Sequence, residues 1–280
     1  MSTLTFLLVV LSALLHASWN FVAKKHAGNY SIIYLSFLFS SIVTGVIAIP
    51  YAQSVEINAY LIALIIVTGV FHAVYGFVLS FTYKHGDIST LYPIVRGSGI
   101  AGAVLLSLVV LHEQLSAISG FGILTVIAGI AILSYRRNRK ATSPKGIFLA
   151  LVCGALIMCY LIMDKLLVSE IHPIPVMAAS QIISALMFLP YVLSQRRAEL
   201  KKTFKTLLFP VMLISVVATS SYLIILFVMQ IAPVSRIVAV REASVVFGAI
   251  AGYAILKEHF SRLRLLGVVL VMLGIILVKM

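Results

Sequence analysis

Apolar residues run along this chain in blocks of about twenty, each closed by a short break of turn-forming or basic residues. The blocks predict helices near 4–23, 31–50, 58–82, 89–111, 116–135, 146–168, 174–194, 207–231, 235–256 and 261–279. At 1.5 Å per residue each crosses a hydrocarbon layer about 30 Å thick. The breaks carry Gly28-Asn29, Gly86-Asp87, Ser143-Pro144 and His172-Pro173, which turn the chain and leave no room for a water-soluble domain. Two longer breaks, Arg136–Lys145 and Gln195–Lys205, are basic and predicted as loops. No Lys or Arg precedes the first block and no cleavage-type sequence follows it, so it is expected to be a span and not a leader.

Composition agrees with this pattern. Of the 280 residues 62% are hydrophobic and only 10% charged, far from the quarter or so of charged residues that a water-facing surface needs. The fold class expected is therefore an all-α integral membrane protein with ten transmembrane helices, multi-pass in the cell (inner) membrane, with the lipid bilayer as its solvent. Cys153 and Cys159 lie six residues apart in one apolar run and point to different sides of a helix, so they read as small core residues.

The net charge of +13 suggests nucleic acid only until its placement is read. Lys24, Lys25, Lys84, Arg136, Arg137, Arg139, Lys140, Lys145, Arg196, Arg197, Lys201, Lys202, Lys205, Lys257, Arg262 and Arg264 all fall on one side of the predicted ten-helix topology. Lys165, Arg236 and Lys279 fall on the other. The positive-inside rule makes the first side cytoplasmic, puts both termini outside, and leaves no nucleic-acid partner to explain.

Sliding the chain against itself by 145 positions pairs Arg96 with Arg241, Leu111 with Leu256, Glu113 with Glu258, Ser116 with Ser261, Gly122 with Gly267, Val126 with Val271, Gly129 with Gly274 and Ile130 with Ile275. An offset of 141 pairs Trp19 with Tyr160 and Lys24 with Lys165. The chain thus reads as two five-helix repeats, 1–140 and 141–280. An odd number of helices turns the second copy upside down, and inverted repeats are the architecture of many secondary transporters. Gly122 and Gly129, and Gly267 and Gly274, are expected to be packing faces, as are Ala103-xxx-Ser107 and Gly248-xxx-Gly252. Ser116 and Ser261 are expected to cap the helices after them, with Glu113 and Glu258 as loop acids or gate residues.

Two five-helix halves, the links Glu113-Gln114-Leu115-Ser116 and Glu258-His259-Phe260-Ser261, and glycine-rich last helices resemble the drug/metabolite transporter superfamily, in particular its EamA-type members. The segments His16-Ala17-Ser18-Trp19-Asn20 and Tyr92-Pro93-Ile94-Val95-Arg96-Gly97 resemble a bacterial subgroup. The resemblance implies a small-metabolite exporter. Members of the family often have cytoplasmic termini, the opposite of what the charge tally predicts here.

Ionisable groups inside a bilayer are functional candidates. Arg96 and Arg241 each lie about two turns into a predicted helix at repeat-related depths, and Glu242 follows Arg241. Glu242 is expected to meet a substrate amine, carry a coupling proton, or form an ion pair with Arg236 or Arg241. His16, Trp19 and Asn20 share a face of the first helix, and His72 and Tyr75 share one on the third with Gly69 and Gly76. Tyr222 lies on the counterpart of the third helix, and Tyr92 lies just before Arg96. These ten side chains are the candidate substrate-binding set, suited to a small polar metabolite that is anionic or zwitterionic.

No Gly-x-x-x-x-Gly-Lys-Ser/Thr run is present, so the driving force expected is a gradient or exchange, with a proton as the coupling ion and no cofactor. A channel or a non-transporting membrane subunit is the alternative, disfavoured because a channel needs no alternation. A membrane enzyme is disfavoured further because the eight acidic residues are mostly singletons at helix ends, Asp87 near His85 being the nearest thing to a cluster. No metal site is expected.

Overall fold

Local signals start the helices where the sequence places them. Ser143 takes an extended backbone and accepts the Gly146 N–H at 3.1 Å, with Pro144 in the first turn, where its missing N–H costs nothing. Asn58 accepts from Leu61 N at 2.9 Å, Ser116 from Ser119 N at 3.2 Å and Ser261 from Arg264 N at 3.3 Å, so both predicted serine caps are present. In the computed structural model, residues 1–26, 29–52, 57–82, 85, 88–133, 143–254 and 261–280 are described. Most of the break at 136–145, as well as Gly28, Lys84, Gly86, Asp87, Lys257 and Glu258, lies outside them.

The described residues form helices α1 (Thr3–Lys25), α2 (Tyr30–Ala52), α3 (Ala59–Thr82), α4 (Ile88–Val110), α5 (Ala117–Leu133), α6 (Pro144–Glu170), α7 (Pro173–Gln195), α8 (Arg197–Thr206), α9 (Leu208–Ile231), α10 (Val234–Arg241), α11 (Ala243–Ala254) and α12 (Arg262–Lys279), with no strand among them. Six of these, α1, α2, α3, α6, α7 and α9, carry stretches long and apolar enough to cross a membrane. Shorter apolar stretches, Ile94–Val110 and Ala117–Leu133, lie in α4 and α5, and α12 has 18 residues with Arg262, Arg264 and Lys279 at its ends.

Two predicted elements differ. The basic break after α7 is not a loop: Arg197–Thr206 is helical, because Glu199 anchors it to the start of α2, accepting from Ser31 N at 2.9 Å and Ser31 Oγ at 2.8 Å. The predicted helix 235–256 is interrupted at Glu242 (φ −68°, ψ −6°), which splits it into α10 and α11.

Packing pairs the two halves of the chain. α5 lies along α12, α2 along α7, α4 and α3 against α6, and α11 and α9 against α1. The α5–α12 contact is backbone on backbone: a Cβ on Gly122 would stand 2.8 Å from Gly274 O, and one on Gly274 would stand 2.6 Å from Gly122 O. Only glycine fits there, as expected for helices that associate by close approach. Of the face expected at Gly248 and Gly252, a Cβ on Gly248 would meet no atom within 4 Å among the described residues, and the surroundings of Gly252 lie outside them.

Hydroxyls tie the remaining helices together. Ser12 and Ser221 each donate to the other's carbonyl, at 2.7 and 2.8 Å, joining α1 to α9. Thr44 donates to Gln181 at 2.9 Å, joining α2 to α7. The outer surface is apolar, with Leu4, Ile42, Phe121, Phe148 and Val216 exposed, as a lipid-facing surface must be.

The α8 anchor has a definite pH dependence. Burial pushes the Glu199 carboxyl up, but the Ser31 N–H and hydroxyl and the Arg196 guanidinium outweigh it and leave the pKa below the usual carboxylate value. A depressed folded-state pKa contributes stability that is present above about pH 4.3 and lost as pH falls through the folded value. The melting-temperature gap between the native protein and Glu199→Gln in detergent is expected to stay constant above about pH 5 and to close below it; a gap independent of pH contradicts the anchor.

Candidate functional site

Charged and hydroxylated side chains from five helices meet at the centre. On α3, Thr68 and His72 are four residues apart and share a face, as Tyr160 and Asp164 do on α6. Asp164 is 1% exposed, inside a run of apolar residues, and its carboxylate is fully engaged. Thr68 Oγ1 donates to Oδ1 at 2.6 Å, His72 Nε2 lies 3.0 Å from Oδ2, and the Tyr222 hydroxyl donates to Oδ2 as well. A carboxylate only accepts, so His72 Nε2 carries the hydrogen. The His72 ring stacks on Tyr160 with centroids 4.0 Å apart and meets Tyr222 edge-on at 5.4 Å, and Tyr75 meets Tyr160 at 5.9 Å.

Next to this cluster the break in the ninth predicted helix supplies Arg241 and Glu242. Glu242 is fully buried and its partner is Arg96 on α4, whose Nε donates to Oε2 at 3.3 Å while Nη2 donates to Oε1. This two-pronged bond is the strongest arrangement a guanidinium makes with a carboxylate. The expected pairing of Glu242 with Arg236 or Arg241 is thus replaced by a pairing across the two halves. Successive helical residues point about 100° apart, so Arg241 cannot share that carboxylate's direction.

Arg241 therefore turns elsewhere. Its guanidinium carbon lies 5.2 Å from the Tyr222 ring centroid, and its Nε is buried with no hydrogen-bond partner among the described residues. Arg96, Arg241 and Glu242 line a cavity of about 20 Å³ with Ile100, Ile157, Tyr160, Leu161 and Val238. That space holds about one water molecule. The space as it stands is too small for a metabolite.

The ten candidate residues thus fall into groups. Arg96, Arg241 and Glu242 line the cavity, and His72, Tyr75 and Tyr222 form the aromatic wall beside it. His16 is within electrostatic reach of both arginines. Trp19 packs against Ile32, Leu35, Val211 and Ile214, and donates to His16 Nδ1 at 3.3 Å. Asn20 is exposed and bonded to its own helix at His16 O, 2.7 Å away, and the half-buried Tyr92 has no bond to the cavity among the described residues. Asp164, Thr68 and Tyr160 are members of the cluster outside that set; an acid inside the long apolar run of α6 is the signal that points to Asp164.

Glu113 is occupied at the other end of α10. It accepts from Val234 N at 2.5 Å, Ser235 N at 3.0 Å and Ser235 Oγ at 2.6 Å, a negative charge at a helix N-terminus. It bridges the halves instead of lying free in a loop.

Residues 144–280 match the model of the EamA-like transporter family. The similarity to that family covers the second half of the chain. EamA is part of the drug/metabolite transporter superfamily, and this match, together with the six apolar membrane-length helices, supports a multi-pass membrane transporter of that type. No curated protein matches the chain. One solved crystal structure shares the fold with a TM-score of 0.79 at 15% identity, over 99% of this chain and 96% of its own. The cluster joins α3 and α4 to the EamA-like half, so the site needs both halves of the chain.

The cross-half ion pair makes a measurable claim. Arg96→Gln and Glu242→Gln are each expected to lower the melting temperature by leaving a buried charge unpaired, and the double variant to recover part of the loss. A double-mutant cycle should return a coupling of about 2 kcal/mol or more; additive losses contradict a direct pair.

Proposed function

We propose that this protein is a secondary transporter that moves a small polar metabolite bearing a negative group, an anion or a zwitterion, by alternating access. The observation that carries this reading is Arg241: a buried cation whose Nε has no hydrogen-bond partner among the described residues, beside a cavity whose other guanidinium is already neutralised by Glu242. A carboxylate or phosphate supplies the missing acceptor and places an opposite charge against that guanidinium. The small cavity must widen to admit such a solute, so a change of conformation is part of the cycle.

The moving parts on this reading are two inverted repeats, residues 1–140 and 141–280, contributing five membrane spans each. Packing supports it. Exchanging each helix for its repeat partner turns the α4–α6 contact into α11–α1 and the α3–α6 contact into α9–α1, and all four are present. Glycine-lined α5 and α12 support the structure, while α1, α3, α4, α6 and α9 to α11 surround the cavity. The direction proposed is export across the inner membrane, as the family resemblance implies, with termini outside by the charge tally.

Carboxylates and phosphates screened against the detergent-solubilised protein are expected to raise its melting temperature where neutral amides of the same shape do not. In proteoliposomes made with the anion so found, Arg241→Lys should reduce transport about tenfold or more while leaving the protein folded, because an ammonium cannot make two parallel bonds. Normal transport by Arg241→Lys would make that arginine a structural anchor and the substrate neutral or cationic.

A further inference from the structure

The buried charges can be counted. Arg96 and Glu242 cancel each other, and Arg241 and Asp164 contribute one charge of each sign, so the cluster is neutral while His72 is neutral. A monoanion on Arg241 would leave it at −1, and a proton on His72 alone would leave it at +1. Only the two together return it to zero. A net charge held away from water is what a membrane interior resists.

We propose that His72, held by Asp164, binds the proton that accompanies the anionic substrate, so that one monoanion and one proton cross together. This rests on the anion reading of Arg241 given above. The proton has one place to go. Asp164 already accepts from Thr68, His72 and Tyr222, and protonating it would displace a donor. Glu242 is fully buried and held on both oxygens by Arg96. His72 is reachable: its side chain is 20% exposed against 1% for Asp164. With Nε2–H donating to Asp164, the free lone pair is on Nδ1, and a proton taken there from cavity water breaks no existing hydrogen bond to the carboxylate.

The groups around His72 favour this coupling. On α6, Tyr160 stacks on the imidazole, while Lys165 is turned to the Met229 carbonyl of α9. From α9, Tyr222 links the two sites directly, with its hydroxyl on Asp164 and its ring under Arg241. Arg96 on α4 and Arg241 on α10 make up the positive side, His16 on α1 lies within electrostatic reach of both, and Glu242 is committed to Arg96. The titratable group of α7, Tyr191, meets Phe77 of α3 instead. An anion on Arg241 cancels the cation nearest the Tyr222–Asp164–His72 chain and so raises the proton affinity of His72; by linkage, a proton on His72 raises anion affinity by the same factor.

The test uses acetate, the simplest carboxylate, with acetamide as its uncharged counterpart. In protein carrying isotope-labelled histidine, the His72 resonance, assigned with His72→Gln, is titrated with each. Acetate is expected to raise the His72 midpoint by about 0.7 pH unit, a fivefold gain in proton affinity. Acetamide should leave it in place, and Arg241→Gln should abolish the acetate effect. The unsubstituted protein gives an independent readout: acetate added to a weakly buffered sample held between the two midpoints should draw up to about 0.4 proton per bound anion from solution. Acetate that raises the melting temperature yet moves neither the midpoint nor the solution pH overturns the coupling and leaves the anion site standing. Acetate that fails to stabilise the protein at all removes the anion reading, and the coupling with it.

Discussion

A charge buried in a membrane interior must be cancelled nearby, and that constraint organises this molecule. Moving one carboxylate or guanidinium out of water costs several kcal/mol after relaxation, which no nearby dispersion contact offsets. The centre nevertheless holds Arg96, Arg241, Asp164 and Glu242, each nine-tenths or more buried except the slightly more open Arg96. Three of them are held by close partners from other helices. The fourth, Arg241, rests on the face of Tyr222, and its Nε is left open to a cavity.

Cancellation also explains how the halves are joined. Glu242 of the second half neutralises Arg96 of the first, Thr68 and His72 of the first half bind Asp164 of the second, and Glu113 of the first caps α10 of the second. The α5–α12 contact adds an apolar seam in which glycine alone fits. Polar links at the centre can be exchanged for others; a backbone seam of this kind can only slide or hold. A small cavity lined by one cross-half ion pair and an arginine with an open Nε, supported by a glycine seam, suits a protein that changes which side it opens to.

Much of this was legible in the chain itself. Runs of apolar residues marked the helices, Ser116 and Ser261 marked their starts, and sliding the chain against itself singled out Arg96 and Arg241 as a matched pair. Other features were hidden for physical reasons. Helix α8 reads as a solvated basic link because its order comes from Glu199 reaching Ser31, a contact 168 residues away in sequence. The break at Glu242 carries no glycine or proline to announce it. The partner of Glu242 is 146 residues distant, so composition and spacing could rank Arg96 as functional without saying what neutralises it. Asp164 has no counterpart in the repeat register and is visible only as an acid where the bilayer tolerates few.

The central claim, that the cavity between Arg96 and Arg241 opens to one side at a time, is tested most directly at Leu161 on its wall. With Cys153 and Cys159 replaced by serine and Leu161 by cysteine, proteoliposomes of known orientation are treated with a membrane-impermeant maleimide from each side. The account predicts labelling from either side in separate experiments, no ion leak while either occurs, and a shift in the ratio of the two rates when an anion that stabilises the protein is added. Labelling confined to one side whatever the anion, or labelling from both sides accompanied by a continuous ion conductance, would contradict it.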